Sequence, residues 1–200
     1  MGTGAKGTEG YGQEADNLIG QYEKMTFADV HRDTRHLLPK SPALILDIGA
    51  GTGRDAAYLV SQGYQVTAVE PTPELRHHGM RLHSGVAIEW IDDSLPGLNV
   101  LRQNPRRFDA ILMTAVLMHL DEGERRTAIA SLAPLLADQG VLILSLRYGP
   151  VPPGRRMFAV PPSEIIALAK MQRLTLIHHN DREDMKSRPD VSWTYLAFRR

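Results

Sequence analysis

The sequence predicts an α/β protein: a doubly wound, seven-stranded, mostly parallel sheet of Rossmann-like type, with its last strand antiparallel and an N-terminal helical cover. Three observations predict it. Short apolar runs alternate with segments of helical periodicity from Ala43 to Arg147, the pattern of parallel strands joined by crossover helices. The first run ends in a glycine turn, Gly49-Ala50-Gly51-Thr52-Gly53, followed at once by a helix-forming segment. The last two runs, Leu174–His179 and Ser192–Phe198, are joined by the charged segment Asp181–Asp190. That segment is too poor in apolar residues for a packed crossover helix, so the pair reads as an antiparallel ending.

The elements follow in order. Residues 1–10, MGTGAKGTEG, are polar and glycine-rich and are expected to form a flexible lead-in. Residues 11–42 read as a helical lid broken in two. Ala15, Leu18, Ile19 and Tyr22 share one helical face, and Thr26 suits an N-cap before Phe27, Val30 and Leu37-Leu38. Pro39 and Pro42 close the section. Residues 43–147 form the cofactor-binding core. Its expected strands are Ala43–Ile48, Gln65–Glu70, Val86–Ile91, Phe108–Thr114 and Val141–Arg147. Its expected helices are Arg54–Gln62, Pro73–Leu82, a short helix around Val100–Arg102 within a mostly loop stretch, and Asp121–Ala137 with a kink or break at Pro134. Residues 148–200 supply a Pro/Gly-rich loop, a helix capped by Ser163, and the last two strands. The whole of 11–200 reads as a single domain.

Composition removes several functional classes. Lys+Arg and Asp+Glu balance at 23 each, which gives no electrostatic reason to expect nucleic acid or a membrane surface. No apolar run approaches the ~18 residues of a transmembrane helix. The chain has no cysteine, so it has neither disulfides nor a thiolate metal site, and a reducing cytoplasm suits it. The histidine pairs His77-His78 and His178-His179 are adjacent in sequence, so their side chains diverge and no metal site is expected there.

The glycine turn carries the chemistry. Glycine lets the backbone approach a ligand closely, and the following helix start offers unpaired N–H groups. A dinucleotide fingerprint requires a third small residue where Arg54 stands, so NAD or FAD fits poorly. Glu70, ending the second strand, can accept hydrogen bonds from both ribose hydroxyls. Asp92 or Asp93, ending the third strand before Ser94-Leu95-Pro96, can accept from an adenine amine while Leu95 covers the ring. Spacing alone leaves the choice of aspartate open.

With these residues in order, the chain resembles the class I S-adenosylmethionine-dependent methyltransferases. The resemblance rests on DIGAGTGR (Asp47–Arg54), VTAVEP (Val66–Pro71), IDDSLP (Ile91–Pro96), FDAILMTAVLMHL (Phe108–Leu120) and DQGVLILSLR (Asp138–Arg147). It implies S-adenosylmethionine as cofactor and S-adenosylhomocysteine as product. It implies that Asp47, Gly49, Ala50, Gly51 and Arg54 lie against the methionine moiety and that Glu70 and Pro71 border the ribose. The adenine edge falls to Asp92 or Asp93 with Ser94, and the sulfonium methyl to Thr114 and Ala115. Tyr11, on the covering segment, is placed to close over the methionine end. The Asp138-Gln139-Gly140 turn departs from the Pro-Gly-Gly common in such families.

Methyl transfer from a sulfonium is an in-line displacement in which the protein supplies alignment, desolvation and sometimes a base. His119, just past the fourth strand, is the candidate base; a structural histidine is the competing assignment. Arg147 and Tyr148, ending the fifth strand, are the candidate substrate residues, with Arg147 suited to a carboxylate or phosphate. Arg54 at a helix start needs a compensating anion, for which Glu70 or the cofactor carboxylate are the candidates. His31, Arg32 and His36 lie within reach of the cavity mouth or on a solvated helical face. Position 114 onward reads Thr-Ala-Val-Leu, without the N/D-P-P-Y/F motif of exocyclic-amine DNA methylation. No basic stripe or acidic metal trio is evident. The expected function is methylation of a nitrogen or oxygen of a small metabolite. A tRNA or protein methyltransferase, or an inactive S-adenosylmethionine-binding protein, is the alternative. Nothing in the sequence speaks to oligomeric state.

Overall fold

The computed structural model describes residues 5–103 and 106–200. Residues 1–4 of the expected lead-in, and Pro105 of the expected loop before the fourth strand, lie outside the described residues.

The lid is α1 (Ala15–Tyr22), α2 (Phe27–Val30) and a 3-10 turn, Arg35–Leu37. Thr26 caps α2 as expected: its hydroxyl accepts from the Asp29 N–H at 3.1 Å. Residues 5–10, expected to be flexible, instead form successive turns closed by Thr8 N–H to Ala5 O and Tyr11 N–H to Thr8 O.

The core alternates as predicted: β1 (Leu44–Ile48), α3 (Arg54–Ser61), β2 (Gln65–Val69), α4 (Pro73–Leu82), β3 (Ile88–Ile91), α5 (Asn99–Gln103), β4 (Phe108–Thr114), α6 (Glu122–Leu132) and β5 (Leu136–Tyr148). Then come α7 (Pro162–Met171), β6 (Thr175–Glu183) and β7 (Ser192–Arg199). One seven-stranded sheet runs β3-β2-β1-β4-β5-β7-β6. The five core strands are parallel, and β7 pairs antiparallel with both β5 and β6. The chain order reverses between β1 and β4, and a ligand crevice forms at such a switch point beyond the carboxyl ends of the strands.

Three boundaries differ from expectation. The helix expected to reach Ala137 ends at Leu132, with a 3-10 turn over Ala133–Leu135. Pro134 lacks the donor that would continue it, and Leu136 is already strand, paired with Phe108. Residues 86 and 87 are turn, because Val86 N–H is taken by the His83 carbonyl. Ser163 does not cap α7: Pro161 is the N-cap and Pro162 starts the helix, so the fixed proline φ replaces a side-chain cap.

The sheet is buried on both faces. Leu46, Ile111, Met113, Leu142 and Leu144 belong to one cluster, with α6 and α7. Ile45, Ala68, Ala110 and Leu112 belong to the other, with Ala56 and Leu59 of α3 and Phe27 of the lid. Phe108 and Phe198 are fully buried, each contributing about 2–3 kcal/mol of apolar transfer. This rigid sheet holds its carboxyl edge as a platform, on which the site is built.

Candidate functional site

A cavity of about 450 Å³ lies over the carboxyl ends of β1, β2, β4 and β5, roofed by the lid, within the usual size range of small-molecule sites. Its floor is the glycine turn. Gly49, Gly51 and Gly53 have φ of 70°, 59° and 78°, values that L side chains rarely adopt. A Cβ at Gly49 would lie 2.7 Å from Val116 Cγ2, and one at Gly53 2.6 Å from the Trp90 ring. The turn is therefore glycine-dependent both in conformation and in space.

Glu70 locks the turn. Its Oε2 accepts from Gly51 N–H and its Oε1 from Thr72 N–H, both at 2.8 Å. Burial raises its pKa, and those two backbone donors oppose the rise. Asp47 is buried, lines the cavity, and keeps Oδ2 without a hydrogen-bond partner. Burial, then the neighbouring Asp55 carboxylate, push its pKa well up. An unpartnered buried acid beside a cavity is a place for a cationic group.

Asp93, not Asp92, faces the cavity. Its Oδ1 accepts from Ser94 N–H at 2.8 Å and its Oδ2 from Leu101 N–H at 2.9 Å. Asp92 turns outward to Arg76 at 2.6 Å and does not line the cavity, so its inclusion among the cofactor residues is corrected. Ser94, Leu95, Pro71, Ala50, Thr114 and Ala115 all line the cavity. Ala115 takes a left-handed φ of 58° with its N–H held by Ser145 Oγ at 3.0 Å.

Arg54 lines the cavity too, and Glu70 is not its partner. It pairs with Asp55 through Nε at 2.8 Å and Nη2 at 2.7 Å. Asp55 also accepts from His31 Nε2 at 2.8 Å. Burial works against the ionisation of Asp55, but His31 and Arg54 outweigh it and hold the pKa at about 2. His31 is thus buried, with its ring nitrogen held against the Asp55 carboxylate. Arg32 pairs with Asp33, and His36 meets the His178 ring edge-on; none of the three lines the cavity.

The far wall holds Tyr11 and His119. Tyr11 Oη lies 2.9 Å from His119 Nε2, and His119 Nδ1 lies 2.9 Å from the Arg156 carbonyl. A carbonyl only accepts, so Nδ1 carries the proton. In the neutral ring Nε2 is then an acceptor and takes the Tyr11 O–H. Burial lowers the His119 pKa, which keeps Nε2 unprotonated near neutral pH. Gly7 packs on His119: a Cβ there would sit 3.0 Å from His119 Cβ.

The cavity wall continues into regions that local pattern did not flag. Arg155 stacks on the Tyr11 ring at 3.9 Å and pairs with Glu14 at 2.7 Å, pinning the Pro/Gly-rich loop to the lid. Asp184, Lys186 and Arg188 from the β6–β7 connection, with Trp193 at the start of β7, close one side. No sequence spacing links them to the glycine turn; only their charge density within Asp181–Asp190 hinted at more than a solvated loop. Arg147 lines the cavity as expected, donating to Pro150 O at 3.1 Å. Tyr148 does not line it: its hydroxyl donates to Val160 O at 3.0 Å and its ring packs on the core, so its substrate role is corrected. Among the described residues no group of three His, Asp or Glu is placed to hold a metal ion.

The sheet order, glycine turn, locked glutamate and cavity-facing aspartate define a nucleotide-cofactor α/β protein that does not use the dinucleotide fingerprint. Residues 45–140 match the family model of the methyltransferase domain. An uncharacterized methyltransferase of Geobacillus kaustophilus is 27% identical over 137 residues, 68% of this chain and 61% of its own length. A ubiquinone biosynthesis O-methyltransferase of Xylella fastidiosa is 34% identical over 112 residues, covering 54% of this chain and 43% of its own. The chain thus spans about half the length of these curated relatives. A TehB-like S-adenosylmethionine-dependent methyltransferase of Corynebacterium glutamicum shares the fold, with TM-score 0.69 over 93% of this chain and 97% of that one, at 20% identity. Residues 45–140 thus resemble a methyltransferase domain, and the chain has the fold of the S-adenosylmethionine-dependent methyltransferases. S-adenosylmethionine is the cofactor of that class. The residues fit it: Asp47 has an unpartnered buried oxygen that would receive its ammonium, the glycine turn would admit its close approach, and Glu70 and Asp93 line the same cavity.

Proposed function

We propose that this chain transfers the methyl group of S-adenosylmethionine to a nitrogen or oxygen of a small metabolite. The observation that carries the reading is one cavity lined by both the acidic candidate cofactor residues, Asp47, Glu70 and Asp93, and the Tyr11–His119 pair. S-adenosylmethionine, when bound, supplies an electrophilic methyl on a sulfonium. The protein's own part is placement and proton handling. Glu70 and the glycine turn would hold the nucleoside, and Asp93 with Leu95 would border its base; all line the one cavity. His119 Nε2, with its tautomer set by the Arg156 carbonyl, takes the acceptor's proton directly or through the Tyr11 hydroxyl. The lid and the Arg155 loop exclude water.

A cavity of this size under a short lid favours a metabolite over a tRNA or a folded protein. The Xylella relative's name in ubiquinone biosynthesis supports the small-molecule class. Thermal shift tests the reading. S-adenosylhomocysteine should raise the unfolding midpoint and NAD should not, since a ligand of the native state stabilises it. No shift with S-adenosylhomocysteine would overturn the reading. Glu70→Ala should weaken that shift strongly, by roughly 10–100-fold in affinity for one lost charged hydrogen-bond acceptor; unchanged affinity would remove Glu70 from the ribose.

A further inference from the structure

Six cationic side chains line the cavity, and their counter-ions divide them. Lys6 pairs with Glu124 at 3.3 Å, Arg54 with Asp55, and Arg155 with Glu14. Arg188 forms a two-pronged pair with Asp184 at 2.8 Å from both Nε and Nη2. Asp184 is saturated by that fork together with Trp193 Nε1 at 3.0 Å and the Lys186 N–H. Among the described residues, Arg147 and Lys186 have no carboxylate partner. Arg147 donates only to the Pro150 carbonyl, and Lys186 Nζ only to Gln21 Oε1 at 3.1 Å.

The acids divide the opposite way. Asp47, Glu70 and Asp93 line the cavity without a cationic side-chain partner, and all three belong to the β1, β2 and β3 ends. The cavity is therefore polarised. Surplus negative charge faces the cofactor strands, and surplus positive charge faces the end of β5 and the β6–β7 connection. Arg147 is half-buried at that positive end. Burial, then the nearby Arg188 cation, lower its pKa, and the same Arg147 charge acts on both Tyr11 and His119. A guanidinium in that position has donors to spare and shares the cavity with the candidate base. Its unmet requirement is an anion.

We propose that the methyl acceptor is an anion, held through a carboxylate or phosphate by Arg147 with Lys186 as the second cation. The inference rests on the methyltransferase reading and adds the charge class of the substrate. The same arrangement sets the acceptor's direction. Its anionic end lies at β5, so the nucleophilic atom points back toward His119 and the end of β4. An acceptor of that charge is attracted to a site already holding a sulfonium, whereas a cationic acceptor is repelled by both.

The test uses full-length protein saturated with S-adenosylhomocysteine and three ring probes of one shape: benzoate, benzamide and benzylammonium. Inorganic phosphate is added as a fourth probe to separate phosphate from carboxylate recognition. Benzoate or phosphate should raise the unfolding midpoint above the S-adenosylhomocysteine value, and benzamide and benzylammonium should not. Arg147→Gln should weaken the anion at least about tenfold, as loss of a charged hydrogen-bond donor predicts. Lys186→Gln should weaken it less. Both variants should keep the S-adenosylhomocysteine shift, which also shows that they fold. Equal shifts from benzamide and benzoate, no shift from either anion, or an anion shift that survives Arg147→Gln would each overturn the proposal. Absence of the S-adenosylhomocysteine shift in the parent protein instead overturns the methyltransferase reading.

Discussion

The two halves of the cavity are built by different means. The cofactor half is assembled from strand ends and the turns that follow them, residues 47 to 95, and is tied by backbone hydrogen bonds to Glu70 and Asp93. The acceptor half is assembled from segments far apart in sequence. Tyr11 reaches His119, Glu14 reaches Arg155, Gln21 reaches Lys186, and Asp33 reaches Arg182. Backbone-tied sites on a buried sheet are rigid. Side-chain ties between a lid and loops are individually weak and open at low free energy. The protein thus combines a fixed cofactor seat with a cover that can part for substrate and product.

Separating the halves by mutation tests this contrast, and the largest effect is expected at His119. His119→Ala should lower turnover by about 10²–10⁴-fold while leaving the S-adenosylhomocysteine shift intact. Kinetics and thermal shift on the same sample check it, and a lost shift would show that the halves are not independent. The parent rate should fall on an acid limb below about pH 6.5, because burial lowers the His119 pKa and protonation removes the Nε2 lone pair. That limb should vanish in the variant.

Gly79→Ala should strike the opposite half. Gly79 of α4 lies against the glycine turn: an added Cβ would sit 2.5 Å from the Thr52 carbonyl oxygen and 2.6 Å from the Trp90 ring. Backbone oxygen has little room to yield, so destabilisation of about 1–3 kcal/mol is expected, with weakened cofactor binding. Denaturant titration reads the first and calorimetry the second; a neutral effect on both would mean that the turn is less rigid than its contacts indicate.

Asp47→Asn should divide stability from function within the cofactor half. The raised Asp47 pKa means that the folded state binds this proton more tightly than the unfolded one. Its stability contribution is therefore full below the unfolded value and lost as pH rises through the folded value. Removing the acid should stabilise the ligand-free protein by about 1 kcal/mol at neutral pH and less in acid, while weakening S-adenosylhomocysteine. Stability curves at two pH values decide it, and a destabilised variant at neutral pH would refute the assignment of an uncompensated acid.

The smallest effect is expected at the lid pin. Glu14→Gln breaks a pair between a half-exposed carboxylate and the buried side chain of Arg155; Arg155 keeps the Tyr11 ring and the Glu9 carbonyl as partners, so a loss of about 1 kcal/mol is expected. Hydrogen exchange in residues 5–22 should rise and KM should increase, with the S-adenosylhomocysteine shift little changed. Unchanged exchange would mean that the Arg155–Tyr11 stacking alone holds the lid.

The cofactor half was legible because its signals are local. A glycine that cannot carry a Cβ, or an acid closing an apolar run, has its role set within a few residues of chain. Ser94, Thr114 and Ala115 therefore fell where strand ends predict. Asp92 and Asp93 were ambiguous because adjacent residues at a strand end face opposite ways, and only the Arg76 pair drew one of them outward. Tyr148 failed for the same reason: alternation along β5 turned it toward the core while Arg147 faced the cavity. Glu70 was the wrong partner for Arg54 because the adjacent Asp55 side chain turns back onto the guanidinium.

By itself the sequence determined the strand–helix alternation, the antiparallel ending, the glycine turn and the cofactor class, since periodicity, φ preference and strand-end chemistry are written in neighbouring residues. The tertiary structure alone decided which strand sits beside which, the His119 tautomer, the closing of residues 5–10 over the site, and the polarity of the cavity. Each of these depends on pairs separated by tens of residues or more, whose meeting is set by packing of the whole sheet and leaves no local trace.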